Sequence, residues 1–239
     1  MTTKRKHPVF IVAKNLWSGY RISLIAYWSI FTAIFIGIQL GLPIHLSKEM
    51  EIGQGIWSGA GISPKLYLLI LGILLTPLSL SSFVSSGITR KHFVGGAVLF
   101  SMLMSLISAL IMTVGFPVER LLTEWFGGQE ILVKPLLLQV GVEFFLGFLG
   151  YFAIGWMIGS SFYRFNWQTG IAVSILSLIP IILIEMVGGT GPSELFGYTF
   201  TMPSMSFIVE MLLILLIAVI VMTINYGMHR TVAIKRKLI

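Results

Sequence analysis

The sequence predicts an all-α integral membrane protein with six transmembrane helices and an N-terminal interfacial helix, forming a single domain over residues 1–239. Three observations predict this class. Hydrophobic residues make up 56% of the chain, charged residues only 10%, and the mean hydropathy is +0.94. Soluble proteins carry about 25% charged residues, so this composition is that of a chain embedded in a bilayer.

The N-terminal segment, residues 8–21, predicts a helix that lies in the membrane interface. Pro8 is suited to a first helical turn, and the apolar residues that follow form a broad face opposite Lys14 and Arg21. Ile11 interrupts the polar face, so a frayed segment leading into the membrane is the alternative. No small-residue cleavage pattern follows the first apolar run, so we do not expect a secretory signal peptide.

The six predicted spans are apolar runs that each approach or exceed the roughly 20 residues needed to cross a hydrocarbon core. They cover residues 23–42, 66–84, 95–115, 136–160, 170–187 and 207–227. We expect Pro77 and Pro180 to kink the second and fifth helices, because proline removes a backbone donor. Pairs of glycines that allow close helix approach occur at Gly37 with Gly41 and at Gly155 with Gly159.

The basic residues predict the orientation of the chain. If six spans place both ends on one side, the connections on that side hold twelve Lys and Arg residues, and those on the other side hold four. This asymmetry predicts a multi-pass protein of the cell membrane with both termini in the cytoplasm. The acidic residues of the connections all fall on the outer side: Glu49, Glu51, Glu119, Glu124, Glu130 and Glu194.

Several kinds of chemistry lack the residues they need. The chain has no cysteine for a disulfide or thiolate, no Asp, and none of the P-loop, HExxH or GxSxG patterns. Its four histidines fall outside the predicted spans and are interpreted as interfacial side chains: His7, His45, His92 and His229. We therefore expect no enzymatic activity, metal site or directly bound cofactor. The net charge of +7 lies beside membrane segments, which favours anionic lipid over nucleic acid as its partner.

Three acidic residues do fall within apolar runs, each toward the outer half of the membrane: Glu143, Glu185 and Glu210. A carboxylate in a membrane is costly unless it pairs or meets water. These residues are therefore candidates for a translocation path or an outward-facing gate. The alternative is local hydrogen bonding at helix ends, which is the simpler interpretation of Glu185 and Glu210, whereas both remain open for Glu143.

The outer connection over residues 188–206 is rich in glycine and proline but contains a short piece beginning at Ser193. Its apolar character suggests a segment that tucks back into the membrane surface. A small re-entrant helix capped by Ser193 and an exposed loop are both compatible with this pattern.

A basic turn over residues 85–93 separates the second and third spans. Gly87 is expected to end one helix, and Thr89 can cap the next. Arg90 and Lys91 can form charge-assisted hydrogen bonds to a partner, with Phe93 as an apolar anchor. The alternative is a plain positive anchor that only fixes the orientation of the chain.

This turn resembles the Gly-x-Thr-Arg-Lys-x-Phe turn of permease subunits of bacterial type-2 ATP-binding-cassette (ABC) exporters, here as Gly87-Ile88-Thr89-Arg90-Lys91-His92-Phe93. The interfacial helix, the six spans and the partly buried outer segment are also similar to that family. The resemblance implies that residues 85–93 form a coupling helix on a separate ATPase subunit, which supplies ATP hydrolysis. It also implies pairing with a second, identical or homologous, permease.

The predicted function is therefore export of an amphipathic or lipid-like substrate, or of a small peptide, by a permease without its own nucleotide-binding motif. Two other functions fit a small polytopic chain. One is a non-transporting immunity or binding protein against a membrane-active peptide, and the other is the substrate-binding subunit of a vitamin importer.

Overall fold

A computed structural model of the chain describes residues 7–39, 56–126, 136–189, 194–195, 198–199 and 205–230. The helices in these residues are α1 (Pro8–Gln39), α2 (Ile56–Gly59), α3 (Ile62–Ser85), α4 (Arg90–Phe126), α5 (Leu137–Arg164), α6 (Trp167–Leu176), α7 (Leu178–Val187) and α8 (Phe207–Arg230). Two short antiparallel strands, β1 (Glu194–Leu195) and β2 (Tyr198–Thr199), pair Glu194 with Thr199.

Six helical stretches within the described residues are long and apolar enough to cross a membrane, with α6 and α7 forming one such stretch. Each of them overlaps one of the six predicted spans. The prediction of a helical, multi-pass membrane architecture is therefore confirmed at this level. The side of the membrane on which each end lies stays a prediction.

Helix α1 joins two segments that the sequence analysis treated separately. Its 32 residues run without a break through the predicted interfacial segment, residues 8–21, and into the first span. At 1.5 Å per residue such a helix is about 48 Å long, well beyond the roughly 30 Å of a hydrocarbon core. The N-terminal part of α1 thus has the length to extend into the interface. Its position there stays a prediction.

Helix α4 is longer than the predicted third span. It includes Glu119, which we had expected in an outer connection, and Glu119 is only 2% exposed. One oxygen of its carboxylate accepts a hydrogen bond from the backbone nitrogen of Trp57 at 2.9 Å, while the indole of Trp57 donates to the carbonyl of Met112 at 2.8 Å. Gly115 leaves the space that the Trp57 ring occupies. The expected placement of Glu119 is wrong because α2 folds back onto the end of α4.

The two prolines affect their helices differently. The fifth span is interrupted at Ser177, between α6 and α7, three residues before Pro180. Helix α3 runs through Pro77 as one helix, although proline cannot donate to the carbonyl of Ile73. That carbonyl lies against Gly159 of α5. A neighbouring helix therefore covers the backbone group that Pro77 leaves unpaired, as membranes require.

Part of the outer connection over residues 188–206 is described. The strands β1 and β2 occupy positions where a helix beginning at Ser193 would have continued, so that helix is excluded for these four residues. Most of the remaining segment, together with Gly41 of the first predicted glycine pair, lies outside the described residues. The depth of this connection in the membrane stays a prediction.

Helix α5 lies at the centre of the bundle. Almost all of its residues between Leu146 and Ser161 are buried, and it packs against α3, α4, α7 and α8. A Cβ atom on Gly155 would collide with the carbonyl of Leu69, and one on Gly72 with the carbonyl of Phe152. The predicted close approach at Gly155 and Gly159 is thus confirmed, and it joins α5 to α3.

Substitution of Gly155 tests this contact. Because the added methyl group would meet backbone rather than a flexible side chain, we expect Gly155→Ala to lower the free energy of unfolding by about 1–3 kcal/mol. Gly19→Ala is the matched control, since nothing lies within 4 Å of the position of its added Cβ. Thermal unfolding in detergent measures both. Equal stability of the two variants would contradict close α3–α5 packing.

Reporter fusions test the orientation. We expect a fusion after Ile239 to report the cytoplasm and a fusion within residues 127–135 to report the exterior, because three spans separate the two sites. The second site lies beyond Phe126, so it does not disturb the contact between Trp57 and Glu119. The same side for both fusions would exclude the six-span arrangement.

Candidate functional sites

The turn between α3 and α4 has a defined backbone geometry. Gly87 has a φ of 83°, in the left-handed region that favours glycine. The nitrogen of Gly87 donates to the carbonyl of Val84 at 3.0 Å, and that of Ile88 donates to the carbonyl of Phe83 at 3.1 Å. These two bonds form a Schellman motif, which satisfies the last carbonyls of α3. The predicted role of Gly87 in ending the helix is confirmed.

Thr89 occupies the N-cap of α4, as the sequence predicted. Its hydroxyl oxygen accepts a long hydrogen bond from the backbone nitrogen of His92 at 3.4 Å and lies 2.8 Å from His92 Nδ1. Arg90 and Lys91 therefore stand in the first turn of α4. Arg90 is half-buried and Lys91 is exposed.

The position of Phe93 differs from the prediction. Its side chain is fully buried, and its ring packs against the rings of Phe83 at 5.7 Å and His229 at 6.0 Å between centroids. A buried ring cannot serve as an anchor on a partner protein, so that expectation is corrected. Phe93 instead fixes the start of α4 to the bundle, which leaves Arg90 and Lys91 as the accessible cations of the turn.

At the other end of the bundle, an ion pair joins α3 to α7. Lys65 Nζ lies 2.7 and 2.9 Å from the two carboxylate oxygens of Glu185, and the Tyr151 hydroxyl of α5 donates to the same carboxylate at 2.7 Å. The side chains of Lys65 and Glu185 are 15% and 14% exposed. Glu185 thus joins three helices through tertiary contacts, rather than through the local bonding at a helix end that was the simpler interpretation. Its role in a translocation path stays a prediction.

The other two predicted acids lie near this ion pair. Glu143 is within electrostatic range of Lys65, Glu185 and Glu210. It is exposed on the bundle surface, and the described residues place no hydrogen-bond or salt-bridge partner beside it. Glu210 lies in the first turn of α8, where the helix dipole favours a carboxylate. The Lys65–Glu185 pair together with Glu143 and Glu210, which interact with each other electrostatically, is called the outer charged cluster, after the predicted orientation.

Sequence analysis missed Lys65 as a member of this cluster. It had been counted only as a positive residue of an outer connection. Its position three residues into α3 was the available signal, because a lysine there can reach along the neighbouring helix. The side chain lies close to Gly147 of α5, where no larger residue blocks it.

A second polar cluster is buried near the opposite end of the same helices. The hydroxyl of Thr76 lies 2.9 Å from that of Ser160 and 3.1 Å from His229 Nε2, and Trp156 Nε1 donates to it at 2.9 Å. His229 Nδ1 donates to the carbonyl of Asn225 at 2.7 Å. Since a carbonyl can only accept, Nε2 is the acceptor in the neutral ring. This inner polar cluster joins α3, α5 and α8.

The interpretation of His229 as an interfacial side chain is therefore wrong, because it is 1% exposed and packed within the bundle. The signal in the sequence was Asn225, a polar residue inside the last apolar run and four residues before His229 on the same helix face. The amide of Asn225 donates to the carbonyl of Ala153 at 2.9 Å.

The described residues hold no group of three acidic or histidine side chains suited to a metal ion. The outer charged cluster and the inner polar cluster instead hold helices together through ionic and hydrogen bonds. The bundle also presents cations at the turn between α3 and α4, and carboxylates at the opposite end.

A double-mutant cycle tests the Lys65–Glu185 pair. Because each single change leaves a poorly solvated charge, we expect Lys65→Gln or Glu185→Gln to lower stability by about 3 kcal/mol. The double variant should recover much of that loss. Arg120→Gln is the control, since its pair with Glu124 is more than half exposed and is worth about 0.3–0.5 kcal/mol. Additive losses in thermal unfolding would contradict the pairing.

Comparison with known proteins assigns neither cluster. No protein-family model matches the chain, and no curated protein or solved structure matches it significantly. The functional assignment therefore rests on the sequence and on the geometry described above.

Proposed function

We propose that the chain is the permease subunit of a type-2 ABC exporter that works with a separate ATPase subunit and a second, identical or homologous, permease. The observation that carries the proposal is the turn at Gly87 to Phe93. It presents Arg90 and Lys91 at one end of a helical bundle, between two helices that are long and apolar enough to span a membrane. The sequence contains no nucleotide-binding motif of its own.

The geometry of the turn supports a coupling role. Two backbone bonds close the end of α3, Thr89 caps α4, and the buried ring of Phe93 fixes the first turn. A contact held in this way moves with its helices rather than independently of them. A force applied at Arg90 would therefore act on both α3 and α4.

The same helix α3 reaches the outer charged cluster. Ser85 ends it beside the turn, and Lys65 lies near its other end. Its 24 residues make a rod about 36 Å long at 1.5 Å per residue. In the proposed mechanism, movement of the turn on ATP binding shifts α3 and alters the bond between Lys65 and Glu185. Glu143 and Glu210 then line a path or gate on the outer side.

The proposed substrate is an amphipathic or lipid-like molecule, or a small peptide, moved toward the exterior. The exposed residues of α1, α3, α4 and α8 are largely aliphatic, so a substrate dissolved in the bilayer can approach the bundle from the side. Carboxylates of the outer charged cluster would favour cationic groups on that substrate.

Charge reversal in the turn tests the proposal. Arg90→Glu should weaken association with the ATPase more than about tenfold, since like charges across a contact are strongly unfavourable. Transport should be lost while membrane abundance is unchanged. Quantitative co-purification from membranes measures association, and export from inverted vesicles measures transport.

Lys14→Glu is the matched control, because it reverses an exposed cation in the N-terminal half of α1, at the same end of the bundle. It should leave both readouts near the wild-type level. An Arg90→Glu protein that binds its ATPase and transports normally would exclude this turn as the coupling site. Recovery of the wild-type chain without any ATPase, with protection against a peptide retained, would favour a non-transporting immunity protein.

A further inference from the structure

A small basic cavity lies between the first turn of α4 and the last turn of α8. Its volume is about 50 Å³, and it is lined by Arg90, Lys91, Val94, Tyr226, His229 and Arg230. Three of these residues carry a positive charge, and they come from two helices that are distant in sequence. Two separate helices therefore contribute cations to the cavity, so it is more than the N-terminus of one helix.

The described residues supply no acidic side chain to this end. Among the described residues, none of the three cations has a carboxylate within salt-bridge distance. The predicted orientation assigns all nine acidic residues of the sequence to the outer side, and the sequence of residues 231–239 contains cations but no acidic residue. No described side chain supplies a counter-charge for the cavity, which makes it a candidate site for an anion from outside the chain.

The nearby helix ends also affect the electrostatic potential at the cavity. The N-terminus of α4 points positive partial charge toward the cavity. The C-terminus of α8 would oppose it, but Arg164 donates to the carbonyls of Gly227 at 3.3 Å and Met228 at 2.8 Å. These carbonyls are thereby covered by another cation. An anion near Arg90 and Arg230 thus meets the favourable potential of the α4 N-terminus, while Arg164 offsets the unfavourable potential of the α8 C-terminus.

The surroundings of the cavity favour a lipid as the source of that anion. Tyr226 is 42% exposed and lies one turn before the end of α8, where aromatic residues commonly sit at headgroup level. Exposed apolar residues continue on the same helix faces, at Val219 two turns before Tyr226 and at Met102 three turns beyond Lys91. A phosphate in the cavity could therefore be continuous with acyl chains along the bundle.

We propose that this cavity binds the phosphate of an anionic phospholipid, held by Arg90, Lys91 and Arg230 with the Tyr226 hydroxyl as a further donor. His229 forms one wall and is fixed from behind by Thr76 and Asn225, so the lipid would rest on the inner polar cluster. Lipid binding at this site does not require transport activity. Arg90 and Lys91 also belong to the coupling turn, whereas Tyr226 and Arg230 lie outside it, so variants of these two test the lipid site separately.

The test is lipid selectivity of the purified full chain by native mass spectrometry. Phosphatidylglycerol and phosphatidylcholine are supplied in equal amounts, and inorganic phosphate is titrated separately. Loss of one cation near anionic lipid should weaken binding about fivefold, so Arg230→Gln should lower phosphatidylglycerol affinity by that factor. Arg230→Lys should retain most of it, and Tyr226→Phe should reduce it without affecting folding.

Lys14→Gln is the control, because it removes an exposed cation in the N-terminal half of α1. Selective retention of phosphatidylglycerol that falls in Arg230→Gln but not in Lys14→Gln would establish the site. Equal retention of both lipids, or an equal loss in the control, would overturn it. Binding of inorganic phosphate without lipid selectivity would assign a free anion instead. Loss of ATPase association in Arg230→Gln with unchanged lipid selectivity would make the cavity a protein contact.

Discussion

The close backbone contact between α3 and α5 is the constraint on which the rest of the bundle depends. Gly72, Gly155 and Gly159 remove the side chains that would hold the two helices apart, so carbonyls of one helix lie against the glycines of the other. In a membrane, where lipid is as apolar as the side chains, such close packing is a main source of helix association. The carbonyl freed by Pro77 is covered at the same place.

This contact sets the positions of both polar clusters. Thr76 lies one turn beyond Gly72, and Ser160 directly follows Gly159, so their hydroxyls meet only if the backbones are close. Toward the other end, Lys65 passes Gly147 to reach Glu185. The inner polar cluster and the ion pair therefore tie α8 and α7 to the same central pair of helices. Movement of α3 in the proposed transport cycle would therefore displace both the inner polar cluster and the Lys65–Glu185 ion pair.

The sequence was sufficient for the features that depend on local chemistry. Span positions follow from hydropathy, and Gly87 and Thr89 follow from backbone rules that act within a few residues. Burial could not be predicted, because lipid-facing and core-facing positions of a membrane helix are both apolar and no amphipathic stripe separates them. Phe93 and His229 were misplaced for another reason: both lie just outside the predicted spans, but the helices extend past those limits and bury them inside the bundle. The contacts of Lys65 needed the tertiary arrangement of three helices.

The distribution of charge along the bundle links the two proposals. Among the described residues, carboxylates lie near Lys65 at one end, whereas Arg90 and Arg230 at the other end have no carboxylate within salt-bridge distance. An isolated group of cations is stable only when water, ions, lipid or a partner balances it. Lys91 is exposed and so is available to a docked protein, whereas Tyr226 and Arg230 extend the basic surface to the outside of α8. An ATPase and an anionic headgroup would thus share Arg90 and Lys91, whereas only the headgroup site also includes Tyr226 and Arg230.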